Sequence, residues 1–185
     1  MNPKKKPHVL LALLISTCLM VSCGELNRAN RLIEDSNNAV KESEKYAVEA
    51  EAKLKQLDSS QADFPSNREQ LEGVSKEAID LLDRAARKLR EAAANYEAAS
   101  QAKIDDPLRE YLALKSQEFN KHVEHLEAAM DIPKAVMDTS INDISALKTR
   151  RAEINNRIEK LKKEWEDLAA RAKKIQEENK DKFEQ

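Results

Sequence analysis

Glycine is almost absent from this chain of 185 residues, which contains only Gly24 and Gly73. Two isolated glycines cannot form the glycine-rich loop that cradles a phosphate group, nor the Gly-x-Ser-x-Gly turn that presents a nucleophilic serine. Aromatic residues make up only 4% of the sequence, whereas Ala, Glu, Lys and Leu are abundant. A composition of this kind is typical of long helices and coiled coils.

The charged residues are numerous but are not segregated by sign. Lys and Arg together number 32, Asp and Glu number 34, and the formal net charge is −2. Because basic and acidic residues are interleaved along the chain, no positive surface of the kind that binds nucleic-acid phosphates is expected. The carboxylates lie near Lys or Arg partners in sequence, which indicates solvated helix faces rather than catalytic acid–base pairs.

The first 24 residues differ from everything that follows them. Lys4, Lys5 and Lys6 form a basic head, and a mainly apolar stretch then runs from Val9 to Val21. This stretch is shorter than the roughly 20 residues that a permanent membrane-spanning helix needs. A basic head, a short apolar centre and a small residue at the exit are instead the three parts of an export signal.

The end of this segment, Met20-Val21-Ser22-Cys23, resembles the signal class of bacterial lipoproteins. In that class a Leu, a small or branched residue and a Gly, Ala or Ser precede an obligatory Cys, and Met20 stands where Leu is usual. The resemblance implies that residues 1–22 are a signal peptide and that Cys23 is the lipidation site, acylated on its thiol and on the new amino terminus. Stable anchoring takes two or more chains, which a triacylated Cys23 provides.

The same resemblance implies a location and a redox state. The protein is expected in the cell envelope, anchored by its membrane lipid at Cys23 to the outer membrane facing the periplasm or to the cell surface. Gly24 stands where enteric members retained in the inner membrane carry Asp, and the choice between inner and outer membrane stays open. With Cys18 removed and Cys23 acylated, no thiol is left for a disulfide or a thiolate metal site.

Residues 23–185 predict one all-α domain, an elongated antiparallel helical bundle or coiled coil of three to four long helices. Apolar and small residues recur at alternating steps of three and four, which is the spacing of one helix face. The last helix has the strongest periodicity, with Arg151 and Trp165 on its seam. Short connections between the helices predict antiparallel neighbours. The predicted helices cover residues 25–57, 67–103, 107–131 and 140–180.

Two helix starts are signalled by polar residues. Ser66 and Glu69 have the spacing of a capping box, in which the two side chains satisfy free amides of the first helical turn. Asp105 precedes Asp106-Pro107, and this arrangement predicts an N-cap followed by a proline tolerated in the first turn. The second and third helices are therefore expected to begin close to these residues.

The end of the third helix is less well defined by the sequence. Pro133 either kinks a helix that continues or opens a new helix after a tight turn. Ser140, with Asp143 three residues later, is a further start signal. We expect a reversal of the chain within residues 131–140, followed by the last long helix.

Glu118, His122 and His125 are the best candidates for chemistry in the sequence. On a helix they are spaced by four and three residues, so all three could face one cation such as Zn²⁺. A di-metal bundle site needs ligands on several facing helices, and residues 23–185 contain no other histidine. Two partly exposed histidines on a charged helix are therefore the favoured interpretation, and no metal or cofactor is expected.

The leading hypothesis is a non-catalytic envelope lipoprotein whose helices serve as a spacer or as a docking surface. The partner would be another protein or a second copy of the chain, and the anchor, the heptad pattern and the lack of a visible active site favour this view. The alternative is a periplasmic bundle that binds a small ligand or a metal through His122, His125 and Glu118. A purely self-associating coiled coil also remains open, and an enzyme is not expected.

Overall fold

The computed structural model describes residues 8–183, and it describes side chains from residue 24 onward. A short 3₁₀ turn, Gln61–Asp63, lies between the first two helices. The described residues contain no strand, which confirms the predicted all-α helical bundle. The helices are α1 (His8–Ser59), α2 (Arg68–Ser100), α3 (Asp106–Ala129), α4 (Asp131–Met137), α5 (Ile144–Glu178) and α6 (Lys180–Phe183).

The backbone of α1 is continuous from His8 to Ser59 and contains the whole of the predicted first helix, 25–57. Residues 1–7 and the side chains of residues 8–23 lie outside the description. The predictions of a signal peptide at residues 1–22 and of acylation at the thiol of Cys23 concern these parts of the chain. Within the part of the chain that is described, no helix is both long enough and apolar enough to cross a membrane.

Each long helix packs antiparallel along the next long helix in the chain. In the ion pairs and ring contacts between two neighbours, the residue numbers rise along one helix as they fall along the other. This is the pattern of antiparallel helices, as expected for helices joined by short connections. These contacts are Glu42–Lys88 and Lys53–Glu77 between α1 and α2, Tyr96–Phe119 and Arg90–Glu127 between α2 and α3, and Lys121–Glu164 and Asp131–Arg157 between α3 and α5.

A seam of small residues joins α1 to α2. Every seventh residue of each helix is almost completely buried, and most of these residues are Ala or Ser. A heptad repeat of this kind keeps one face of each helix turned towards its partner. The buried heptad positions are Ala29, Ser36, Ser43, Ala50 and Leu57 in α1, and Leu71, Ala78, Ala85, Ala92 and Ala99 in α2.

Two serine hydroxyls of α1 reach the backbone of α2. The Oγ of Ser43 donates to the carbonyl oxygen of Ala85 at 3.0 Å. The Oγ of Ser36 lies 2.8 Å from the carbonyl oxygen of Leu32 in its own helix and 3.2 Å from that of Ala92 in α2. A side chain with a single carbon bridges two helices only where their backbones approach closely, and the distance between helix axes depends on the side chains at the contact. The alanines of α2 permit this approach.

Met130 joins α3 to α4 without leaving helical geometry. Its φ and ψ are −63° and −21°, and its N–H donates to the carbonyl oxygen of Leu126 at 3.1 Å. Pro133 lies in the first turn of α4, where a missing N–H is tolerated. The helical chain therefore continues past Pro133 and reverses its direction at residues 138–143. Of the interval 131–140, in which the reversal was predicted, only residues 138–140 belong to the turn.

Ser140 does not begin the last long helix. The Oδ1 of Asp138 accepts hydrogen bonds from the backbone N–H and the hydroxyl of Ser140, at 2.9 and 2.7 Å, and this places Ser140 in the turn. The N-cap is Asp143, whose carboxylate accepts from the N–H of Ala146 at 2.8 Å. The helix begins at Ile144, four residues after the predicted start, because an Asp bonds to the backbone of a helix start as readily as Ser does.

The capping box expected at Ser66 does not form either. Asn67 occupies the N-cap position of α2 without a capping hydrogen bond from its side chain. Its Nδ2 instead donates to the carbonyl oxygen of Ser60 at 2.6 Å, which ties the start of α2 to the preceding turn. The capping bonds that the Ser66–Glu69 spacing predicted are therefore absent, and the bond from Asn67 to Ser60 fixes the start of α2 instead.

Enlarging a residue in the seam between α1 and α2 is expected to destabilise the fold. In Ala85→Leu the added side chain meets Ser43 at a position that is 0% exposed, and such overpacking costs about 1–3 kcal/mol. Ala94→Leu makes the same change at an exposed position of the same helix and should have little effect. Urea unfolding of both variants and the wild type measures the difference, and equal midpoints would show that the seam is not close-packed.

Candidate functional site

The carboxylate of Glu118 is buried in α3 and already has a partner. Its side chain is 6% exposed, and its two oxygens accept hydrogen bonds from the Nζ of Lys115 at 2.9 and 2.7 Å. The same ammonium lies 4.4 Å from the centre of the Phe119 ring. One turn of α3 therefore neutralises its own buried charge, as the spacing of three residues between Lys and Glu allows.

The imidazole of His122 stacks on Trp165 of α5. The ring centres are 4.7 Å apart and the planes differ by 10°. Burial lowers the pKa of His122 to about 4, and the nearby His125 acts in the same direction. Burial also lowers the pKa of His125, whose ring centre lies 5.7 Å from that of His122. The two histidines thus form part of a ring cluster between α3 and α5 and are neutral near pH 7.

The three predicted ligand candidates do not assemble into a metal site. Glu118 is held by Lys115, and His122 is held by Trp165. Among the residues with described side chains, no group of three or more His, Cys, Asp and Glu could hold a metal ion. Sequence spacing placed the candidates on one helix, but it did not reveal that Trp165 covers His122, because that contact joins two distant helices.

Tyr96 of α2 contacts both α1 and α3 in the core of the bundle. Its hydroxyl donates to the Oδ1 of Asn37 in α1 at 2.9 Å, and its ring stacks on Phe119 of α3 at 5.6 Å. Burial raises the pKa of Tyr96, so the hydroxyl stays protonated and remains a donor. A buried tyrosine with a satisfied hydroxyl and a stacked ring has a structural role, since its polar end already has a partner.

A groove opens at the end of the bundle where α1, the connection between α2 and α3, and α6 meet. We call it the basal groove. Its volume is about 610 Å³, which lies within the range of roughly 300–1,000 Å³ found for ligand sites. Its apolar lining consists of Leu26, Ile33, Ile104, Leu108, Tyr111 and Phe183. Sequence reasoning missed it because these residues come from four separate segments.

Polar residues at the rim of the basal groove hold α6 against the start of α3. The Nζ of Lys182 lies 3.5 Å from the Oδ2 of Asp105. Asp105 occupies the N-cap position of α3, as predicted, but its side chain makes no capping bond. Below the ion pair, the ring of Phe183 meets that of Tyr111 edge-on at 5.1 Å. These contacts form one wall of the groove.

At the opposite end of the bundle, the first and last long helices contact each other. Arg151 of α5 forms an ion pair with Asp58 at the end of α1. Leu54 of α1 and Ile158 of α5 both pack against the buried cluster that contains Leu57 and Leu147. The first and last long helices are therefore tied together far from the basal groove, and Arg151 has a specific partner at its place on the predicted seam.

The fold defines the class of this protein as an antiparallel all-α helical bundle. Comparison with protein-family models, with curated proteins and with solved structures finds no match for the chain. Two features of the chain itself bear on its function, the segment that ends at Cys23 and the basal groove that begins at Leu26.

Acidification is expected to weaken the contact between α3 and α5. The pKa of His122 is about 4 in the folded chain and 6.5 in its ordinary state, so the unfolded chain binds more protons between these values. The free energy of unfolding therefore falls as the pH decreases through this interval, by about 2–3 kcal/mol for this one group. Urea unfolding near pH 7 and near pH 4.5, followed by the fluorescence of Trp165, measures the loss.

His122→Phe is the matched variant for this measurement. It keeps an aromatic ring against Trp165 and removes the proton site, while all carboxylates that also titrate in acid remain. Its free energy of unfolding should therefore fall less than that of the wild type over the same pH interval. Identical pH dependence in the two proteins would show that His122 is protonated equally well in the folded and unfolded chain.

Proposed function

We propose that this protein is a membrane-anchored envelope lipoprotein, held in the membrane by acyl chains on Cys23. Its helical bundle is a non-catalytic spacer or protein-docking scaffold. The observation that carries the proposal is the segment Met20-Val21-Ser22-Cys23, preceded by an apolar stretch and a basic head. A covalent lipid at this position supplies the hydrophobic attachment that the polar bundle lacks.

The geometry of α1 supports a spacer. The helix is continuous through residue 23, and its buried heptad positions begin at Ala29, so no flexible tether separates the proposed anchor from the bundle. At about 1.5 Å per residue, the part from Gly24 to Ser59 extends roughly 50 Å. The connection between α1 and α2 is thus presented at about that distance from the anchor residue.

The state of the polar side chains supports a role without catalysis. The carboxylate of Glu118 is occupied by Lys115, and His122 is neutral and covered by Trp165. A general acid or base must be within hydrogen-bond reach of a substrate proton. The carboxylate of Glu118 is buried and bonded to Lys115, and one face of His122 is covered by Trp165. The metal-binding alternative needs these residues as ligands and therefore has less support.

Substitution of the two cysteines tests the anchor. Cys23→Ala should abolish acylation and release the protein from the membrane fraction of a bacterial host, because the acyl chains supply the attachment. Cys18→Ala lies within the proposed signal peptide and should leave both properties unchanged. Mass spectrometry of the mature amino terminus, with fractionation of membranes, measures the result. An unacylated wild-type protein, or Cys23→Ala that remains acylated, would contradict the proposal.

Photo-crosslinking in intact cells tests the scaffold role. A photoreactive amino acid is placed at Val48 of α1, which is 67% exposed, or at the exposed Ala170 of α5. A docking surface should give an adduct of discrete mass, with an envelope protein or with a second copy, at one of these positions. If the protein is acylated but neither face gives an adduct above the background without illumination, docking along these faces is wrong.

A further inference from the structure

The basal groove begins one helical turn after the proposed anchor residue. Residue 23 and Leu26 are three apart in α1, so they occupy neighbouring positions on one face, separated by about 4.5 Å along the axis. Asn30 and Ile33 continue that face and line the same groove. Residues 23, 26, 30 and 33 therefore share one face of the α1 backbone, and the last three of them line the groove.

The groove combines a mainly apolar lining with polar residues, Asn30, Lys103, Asp105 and Lys182, in a bundle whose surface is rich in charged residues. Leu26 is 45% exposed, and it is one of only two large apolar side chains that are exposed among residues 24–183. Protein interiors are normally close-packed, and an exposed apolar groove of this size indicates a binding partner that is itself apolar. The aromatic rings of Tyr111 and Phe183 and the side chain of Leu108 present such a surface to the occupant.

We propose that one acyl chain of the Cys23 lipid lies in the basal groove. This inference rests on the proposed lipidation of Cys23, and it adds a binding site within the bundle for the lipid. The other acyl chains remain in the membrane, and two chains are sufficient for stable anchoring. The docked chain lies between α1, the start of α3 and α6.

The volume of the groove matches one chain. A methylene group is similar in size to a water molecule, whose share of liquid volume is about 30 Å³. The volume of about 610 Å³ is therefore large enough for one fatty-acyl chain. Asn30 and Lys103 at the rim carry hydrogen-bond donors that suit the ester carbonyls of a diacylglyceryl group.

Covalent attachment favours the chain on Cys23 over a free lipid of the bilayer. A ligand joined to the protein through a short link reaches its site in an intramolecular step, with an effective concentration in the millimolar range. The groove wall at Leu26 is three residues from the attachment point, so the link is short.

The test uses the full chain in cells that incorporate a fatty acid with a photoreactive diazirine near its methyl end. After illumination, mass spectrometry locates crosslinks between the Cys23 lipid and the protein. The expected result is an intramolecular crosslink to residues 104–112 or to Phe183. In Leu26→Glu, which places a carboxylate at the entrance, this crosslink should decrease severalfold. Val48→Glu also introduces a carboxylate at an exposed apolar position of α1, but away from the groove, and should leave the crosslink unchanged.

The outcomes separate this inference from the proposed function. If Cys23 is acylated but its chain crosslinks only to phospholipid, or equally in Leu26→Glu and the wild type, the groove does not hold the chain and the inference is overturned. Acylation is measured on the same peptides without illumination. An unacylated Cys23 overturns the lipoprotein proposal and this inference with it.

Discussion

The close approach of α1 and α2 is the constraint on which the rest of the bundle depends. The hydroxyl of Ser43 bonds to the carbonyl of Ala85, and that of Ser36 lies within reach of the carbonyl of Ala92, so the two backbones meet in one register. Small side chains bury little apolar area, and area removed from water is the main source of stabilisation. The seam therefore fixes the alignment of the helices, while larger residues elsewhere, among them Leu112, supply most of the buried area.

The two sides of α2 explain why the bundle is tight in one place and open in another. Its heptad of alanines draws α1 close, and Tyr96 on another face stacks with Phe119 of α3. The contact between α3 and α5 instead uses large rings, with His122 on Trp165, and helices that meet through large side chains lie farther apart. The basal groove lies at another place, where α1, the connection between α2 and α3, the start of α3 and α6 meet.

The sequence predicted the helices well and their ends poorly, for a physical reason. Periodicity is repeated over many residues, so the class of fold was confirmed. A helix end depends on one or two hydrogen bonds, and at the start of α2 the expected capping box is absent while Asn67 bonds to a carbonyl of the preceding turn. The pairing of Lys115 with Glu118 follows from their spacing, whereas the stacking of Trp165 on His122 and the basal groove depend on helix register, which no local pattern encodes.

The proposed anchor at Cys23 would make the register of α1 against α2 a functional quantity. Under that proposal, a force between the membrane and the bundle enters through α1 and passes to α2 through the buried heptad that includes Ser36 and Ser43. Sliding by one residue would break the bond from Ser43 to Ala85 and turn each small side chain away from the close contact. Sliding by seven residues would bring Leu57 against the site of Ala78, where an added volume of this size is strongly unfavourable. A small-residue seam thus resists shear because only one alignment fits, and that property suits a spacer which must hold its far end at a fixed height.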